Sequence, residues 1–303
     1  VTGQGCDNEA WTIIVLEARI PMVVTAALAG AALAVSGLLL QTSFNNPLAG
    51  PSILGVSTGA GLGVAIVMLA MGGTVGGFFG SSVGSYVAIL MGALLGAALV
   101  LALLIVFSSI VKSSSVLLII GILVSYLASS IISLLNSLAT EEGMASYVAW
   151  GFGTFSSVTP SQMPVFASTI IVSLMASALM VKPLNAMLLG TRYATNIGVN
   201  VRRSRNLMLL VTGLLTAIVT AFCGPIGFLG LVVPHVARLM LATSNHSRLI
   251  PATMLAGAAT ALLCSLLSVM GSHVIPINAI TPVIGVPIII YLIVNRRKIQ
   301  YFN

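Results

Sequence analysis

Charge is scarce in this sequence. Of 303 residues only 5 are Asp or Glu and 12 are Lys or Arg. Charged residues make up 6% of the chain, where a soluble domain carries about 25%. A soluble protein of this length could not cover its surface with so few, so lipid is the solvent for much of the molecule. Cysteine is almost absent as well. Cys6, Cys223 and Cys264 are scattered, with no CxxC spacing and no histidine near them at ligand spacing. That excludes a disulfide framework and a zinc site, and no cofactor is expected. Cys223 and Cys264 fall in apolar segments and read as small core residues. No cleavable leader is visible, because residues 1–12 are polar and acidic rather than basic and then apolar. HExxH is missing, so no intramembrane metalloprotease motif presents itself.

What is present is hydrophobic residue, 58% of the chain, with a mean hydropathy of +1.15. A bilayer core about 30 Å thick takes roughly 20 helical residues. Runs of that order lie at 20–41, 56–72, 83–110, 116–138, 163–181, 206–223, 227–243, 250–270 and 280–295. The pattern predicts an all-α, polytopic transmembrane helical bundle with nine spans, forming one domain over 1–303. The run at 56–72 is short and glycine-rich, and 227–243 contains Pro234. Such helices are tolerated where they pack inside a bundle.

The charges orient this bundle. Lys112, Lys182, Arg192, Arg202, Arg203, Arg205, Arg238, Arg248, Arg296, Arg297 and Lys298 all fall on one side if nine spans alternate. Asp7, Glu9, Glu17, Glu141 and Glu142 fall on the other, with Arg19 the single basic residue among them. Short basic loops stay inside. The carboxyl end is therefore expected in the cytoplasm, in a multi-pass membrane protein. The formal charge of +7 follows from this bias and calls for no nucleic-acid partner. The odd span count with an external start predicts one further helix ahead of residue 1.

Two long motifs carry a resemblance. Residues 18–60 contain Ala-Arg-Ile-Pro, Leu28-Ala-Gly-Ala-Ala-Leu-Ala-Val-Ser-Gly, Gln41, Asn46-Pro-Leu-Ala, Pro51, Leu54-Gly and Gly59-Ala. Residues 224–238 read Gly-Pro-Ile-Gly-Phe-Leu-Gly-Leu-Val-Val-Pro-His-Val-Ala-Arg, and Gly285-Val-Pro lies in the last span. Over nearly its whole length the chain resembles the FecCD-type permeases of type II ATP-binding-cassette (ABC) importers, which carry iron–siderophore chelates, haem and vitamin B12. The resemblance implies ten helices per subunit, a homodimer, two separate ABC ATPase subunits and a periplasmic or surface substrate-binding protein. The permease itself would be no enzyme.

The residues have readings of their own. Gly30 and Ala34, and the series Gly55, Gly59 and Gly63, place small residues four apart, which lets helices approach closely in lipid. Gly59-Ala-Gly-Leu-Gly lacks the strand a dinucleotide loop needs. His235 follows Pro234 in a broken helix and reads as a partner for exposed backbone. His246 and His273 fall in predicted loops, as does the run Ser113-Ser-Ser.

Residues 182–205 form the longest polar stretch on the basic side, yet Met187, Leu188, Leu189, Tyr193, Ile197 and Val199 interleave with its polar residues. The pattern suits two short amphipathic helices broken at Gly190 or Gly198. An idle loop would not expose such side chains to water. The resemblance implies that this segment docks on the ATPase through Leu189, Gly190, Thr191, Ala194, Ile197 and Gly198. Thr191 stands where relatives often carry an acidic residue.

Ser125, Ser129, Ser133 and Asn136 line one face of the span 116–138. Such a stripe either bonds neighbouring helices or lines a wet path. The resemblance implies the second, at a two-fold axis between subunits. On the acidic side, the resemblance makes Arg19 a docking residue for the binding protein. Met22, Ser265 and Val269 stand where relatives often carry further charged residues. The competing function, an ion-coupled secondary transporter, calls for acids at mid-membrane. No Asp or Glu lies inside any predicted span.

Overall fold

In hydrocarbon a backbone must satisfy its own polar groups, and every regular element among the described residues is a helix. The computed structural model describes residues 9–70, 82–111, 113–270 and 274–294. Cys6, Asp7, Lys112, His273, Arg296, Arg297 and Lys298 lie outside the described residues. A turn at Glu9–Ile13 and a π-helical stretch at Ile14–Arg19 lead into α1, Ile20–Phe44. α2 spans Val56–Ala65 and runs on as a π-helix at Ile66–Ala70. There follow α3 (Ser82–Ile110), α4 (Ser114–Leu138), α5 (Glu141–Gly151) and α6 (Met163–Ala178). Two short helices, α7 (Val181–Leu188) and α8 (Thr191–Asn196), precede α9 (Val201–Cys223). α10 (Leu229–Leu241), α11 (His246–Val269) and α12 (Ile277–Val294) complete the bundle.

Each of the nine predicted runs meets a helix. Among the described residues, Trp11–Phe44, Tyr86–Ile110, Ser114–Leu138, Val201–Cys223 and His246–Val269 are long and apolar enough to cross a membrane. The run expected at 163–181 ends early, because the chain bends by 51° between α6 and α7. The short helices at 56–69 and 229–241 are the two expected to pack inside the bundle. Local chemistry sets the ends. Asn200 accepts a hydrogen bond from the Arg203 amide at 2.9 Å, and Asn245 accepts one from Ser247 at 3.0 Å. Ser113 likewise caps α4 by accepting from the Val116 amide, so the serine run predicted as a loop begins a helix.

α1 occupies the middle. From Ala29 to Phe44 every residue is buried, as suits a helix that is apolar all round. It packs against α6, α9, α10 and α11. α3 and α4 lie at the periphery and turn Leu95, Leu99, Leu123 and Leu127 outward, each at least 60% exposed. Those leucines need lipid or another subunit as cover.

Small residues decide how closely the helices meet. Gly59 and Gly63 of α2 lie against Gly96 and Gly92 of α3, each glycine facing the other's backbone. Gly30 of α1 meets Gly257 of α11, and Gly37 meets Gly230 of α10. A Cβ at Gly37 would lie 2.7 Å from the Gly230 Cα, against rigid backbone. Gly37→Ala should therefore destabilise the bundle by about 1–3 kcal/mol, the usual cost of overpacking. The measurement is thermal unfolding in detergent, and an unchanged midpoint would disprove so close a crossing.

Two arginines counted to the cytoplasmic side are buried in helices. Arg205 is 7% exposed in α9 and donates to the Ser114 hydroxyl at 3.4 Å. Arg238 is 6% exposed in α10 and donates to Gln41 Oε1 at 2.6 Å, while Gln41 Nε2 donates to the Leu231 carbonyl. The hydropathy pattern begins a run at 206, just after Arg205, but burial with a polar partner places that arginine inside α9; Arg238 lies within its run at 227–243 and is buried there. Lys182, Arg192, Arg202, Arg203 and Arg248 are exposed at one end of the bundle, and Glu141 and Glu142 at the other.

Candidate functional site

The segment between α6 and α9 is ordered by its own small residues. Gly190 separates α7 from α8 with φ at 99°, and Gly198 follows α8 with φ at 88°, a region that L side chains rarely adopt. A Cβ at either would meet nothing within 4 Å. The break expected at Gly190 or Gly198 thus occurs at both ends of α8. Leu184, Ala186 and Met187 of α7 are buried in the bundle. Leu189, Tyr193 and Ile197 point away from it, exposed by 66%, 48% and 54%. Thr191 is exposed beside them.

One expectation fails here. Ala194 was to be part of the outward surface, and it is fully buried within this chain. α8 turns it inward, and its carbonyl accepts from the Val199 amide at 2.9 Å. Tyr193, which the family pattern passed over, stands outward in its place. The apolar interleaving of 187–199 held that signal, since Tyr193 and Ile197 are four apart and share a face.

The polar stripe of α4 divides. Ser129 and Ser133 line a pocket of about 420 Å³ together with Ser57, Thr58, Tyr147, Trp150 and Asn278. Tyr147 and Trp150 stack with ring centroids 6.0 Å apart, and Asn278 Nδ2 donates to the Gly151 carbonyl. Ser125 is not among the lining residues. Its hydroxyl donates to the Gly121 carbonyl at 2.9 Å, and a Cβ on Gly55 would come within 2.7 Å of it. Asn136 also stands off the pocket, with Oδ1 buried. The stripe is thus partly helix packing and partly polar lining.

A second pocket, about 290 Å³, opens at the end of the bundle opposite α7 and α8. Arg19, Met22, Ser265 and Val269 all line it, with Ser268 and Thr154. These four residues, singled out by resemblance from two distant stretches, are neighbours in space. Among the described residues, Arg19 is the one charged side chain in the lining.

The histidines differ from one another. His235 Nε2 donates to the Pro47 carbonyl at 2.8 Å, the backbone-satisfying role expected after Pro234. His246, assigned to a loop, is the first residue of α11 and fully buried. Its partners, Asn185 and Thr42, are 61 and 204 residues away. The Asn245 cap immediately before it was the local sign of a helix start. Cys223 and Cys264 are free and buried.

Against this geometry stand the known proteins. The sequence model of the FecCD transport family matches residues 2–295. The vitamin B12 import system permease protein BtuC of Citrobacter koseri is 33% identical over 289 residues, covering 94% of this chain and 84% of that protein. The hemin transport system permease protein HmuU of Yersinia pestis is 30% identical over 293 residues, covering 96% and 86%. A solved structure of a metal-chelate type ABC transporter in an inward-facing conformation superposes with a TM-score of 0.84 at 32% identity, covering 96% of this chain and 90% of that one.

Proposed function

Because this chain belongs to the FecCD transport family, we propose that it is the permease subunit of an ABC importer that moves a metal chelate into the cytoplasm. Iron–siderophore, haem and cobalamin are the candidate cargoes. The observation that carries the reading is the apolar triplet Leu189, Tyr193 and Ile197, held outward on α8 and at the ends of α7 and α8, at the basic end of the bundle. Exposed apolar side chains beside glycine joints, outside any bilayer span, call for a protein partner.

That partner is the ATPase, which hydrolyses ATP on its own subunit. Leu189, Gly190, Thr191, Ile197 and Gly198, with Tyr193, form the seat, and Ala194 supports it from beneath. Two ATPases serve two permease copies, and the exposed leucines of α4 face the second copy across a two-fold axis. Ser129 and Ser133 belong to the path of the cargo. Arg19, in its pocket at the far end, accepts a carboxylate of the binding protein. The basic end faces the cytoplasm, as does the carboxyl terminus, in a bacterial inner membrane, and residues 1–303 act as one permease domain. ATP-driven closure of the ATPases rocks the two copies between outward- and inward-open states.

Uptake by proteoliposomes tests this. Cargo presented by a binding protein should accumulate only when the ATPase and internal ATP are both supplied. Uptake by the permease alone under a proton or sodium gradient would replace this reading with ion-coupled secondary transport.

A further inference from the structure

His246 ties the ATPase seat to two membrane helices through directed bonds. Its backbone N–H donates to Asn185 Oδ1 at 2.9 Å, and its Nδ1 lies 2.8 Å from the same oxygen. Asn185 belongs to α7, and its Nδ2 donates to Asn245 Oδ1 at 3.0 Å. On the other side of the ring, Nε2 lies 2.9 Å from Thr42 Oγ1 on α1. That hydroxyl is also 3.1 Å from the Leu38 carbonyl of its own helix.

The direction of these bonds follows from what each atom can do. A backbone N–H only donates, so the Asn185 atom facing His246 is oxygen and the ring's Nδ1 carries a proton. With Nδ1 donating, a neutral ring offers Nε2 as an acceptor. The single Thr42 hydroxyl proton then has two acceptors, one within α1 and one on α11. Directed towards Leu38 it closes α1 on itself, and directed towards Nε2 it joins α1 to α11.

We infer that His246 is a positioning residue, through which displacement of α7 is passed to α1 and α11 together. The inference rests on the reading of α7 and α8 as the ATPase seat. Leu184, Ala186 and Met187 of α7 are buried against the bundle as well, in contacts that carry no directed bond. Among the described residues, the side-chain hydrogen bonds of α7 to the rest of the bundle all run to Asn245 and His246. Besides its chain continuity with α6 and α9 and the packing of its apolar side chains, the seat therefore meets α1 and α11 through this directed joint.

The test uses the assembled complex of permease, ATPase and binding protein, and reads cargo taken up per ATP hydrolysed. Thr42→Val keeps the shape and removes the hydroxyl, Asn185→Leu removes the acceptor, and Thr42→Ser restores the hydroxyl. If the joint acts in series, each of the first two lowers the ratio about tenfold, and the double variant is no worse than either. Thr42→Ser keeps the wild-type ratio. Losses that multiply in the double variant would make the two bonds independent packing contacts and overturn the inference. An unchanged ratio in Thr42→Val would do so too, as would a loss of the ATPase from it. Co-purification separates this failure from failure of the seat. A wild-type permease that holds no ATPase disproves the seat, whereas one that holds it while the losses multiply disproves only the joint.

Discussion

Replacing Leu189 and Ile197 together by Glu should strip the ATPase from the purified permease. Both side chains are more than half exposed in the isolated chain, so the change is tolerated there. In the complex each would lose the burial of an apolar side chain, a contribution of about 1.5–3 kcal/mol when complete. Each would also carry a charge into a packed contact, where an uncompensated ion costs about 3–5 kcal/mol. Discounted for partial burial at the contact, a net loss of about 3 kcal/mol lowers association by roughly a hundredfold. Co-purification with the ATPase is the measurement, alongside thermal unfolding of the permease alone, which should not change. A double variant that still holds its ATPase would leave residues 182–205 a basic connection and nothing more.

Ala194 shows where the sequence stops being informative about this surface. By pattern it sits among the small residues Gly190 and Gly198, and an arginine there would be the natural probe of docking. Because Ala194 is fully buried, Ala194→Arg instead tests the permease's own packing. Periodicity says that 191–196 can form a helical turn, but not which side the bundle covers. The same limit applies to His246, Arg205 and Arg238. Each is polar, so hydropathy leaves His246 and Arg205 outside the runs and says nothing of what Arg238 meets inside its own, and each is buried where a group remote in sequence receives it: Asn185 and Thr42, Ser114, and Gln41. Features fixed by neighbours along the chain were legible. The nine apolar runs, the glycine spacing of α2 and the joint at Gly190 all follow from local chemistry. The approximation of Arg19, Met22, Ser265 and Val269 in one pocket lies between these cases. It was reached by resemblance alone, since no local rule relates the start of α1 to the end of α11.

The division of the α4 stripe leads to the second large effect, a block of transport by Ser129→Leu with Ser133→Leu. Both serines are exposed in this chain and line the 420 Å³ pocket, so neither leucine has to displace a packed neighbour. The double variant should fold and retain its ATPase. The pocket would lose two of its hydroxyls and much of its free space at once. A polar cargo passing there would exchange hydrogen bonds for apolar surface, and a buried polar group left without a partner costs about 1–3 kcal/mol. Two such losses, with the added bulk, should reduce uptake at least tenfold while ATP hydrolysis continues. Ser125→Leu should behave differently. Ser125 lies against Gly55 and bonds to Gly121, so a leucine there would force α2 away from α4 and lower stability before it altered transport. Uptake measured beside thermal unfolding distinguishes the two. If Ser129→Leu with Ser133→Leu unfolds the protein and Ser125→Leu does not, the stripe has been divided the wrong way. If both leave uptake unchanged, the cargo passes elsewhere.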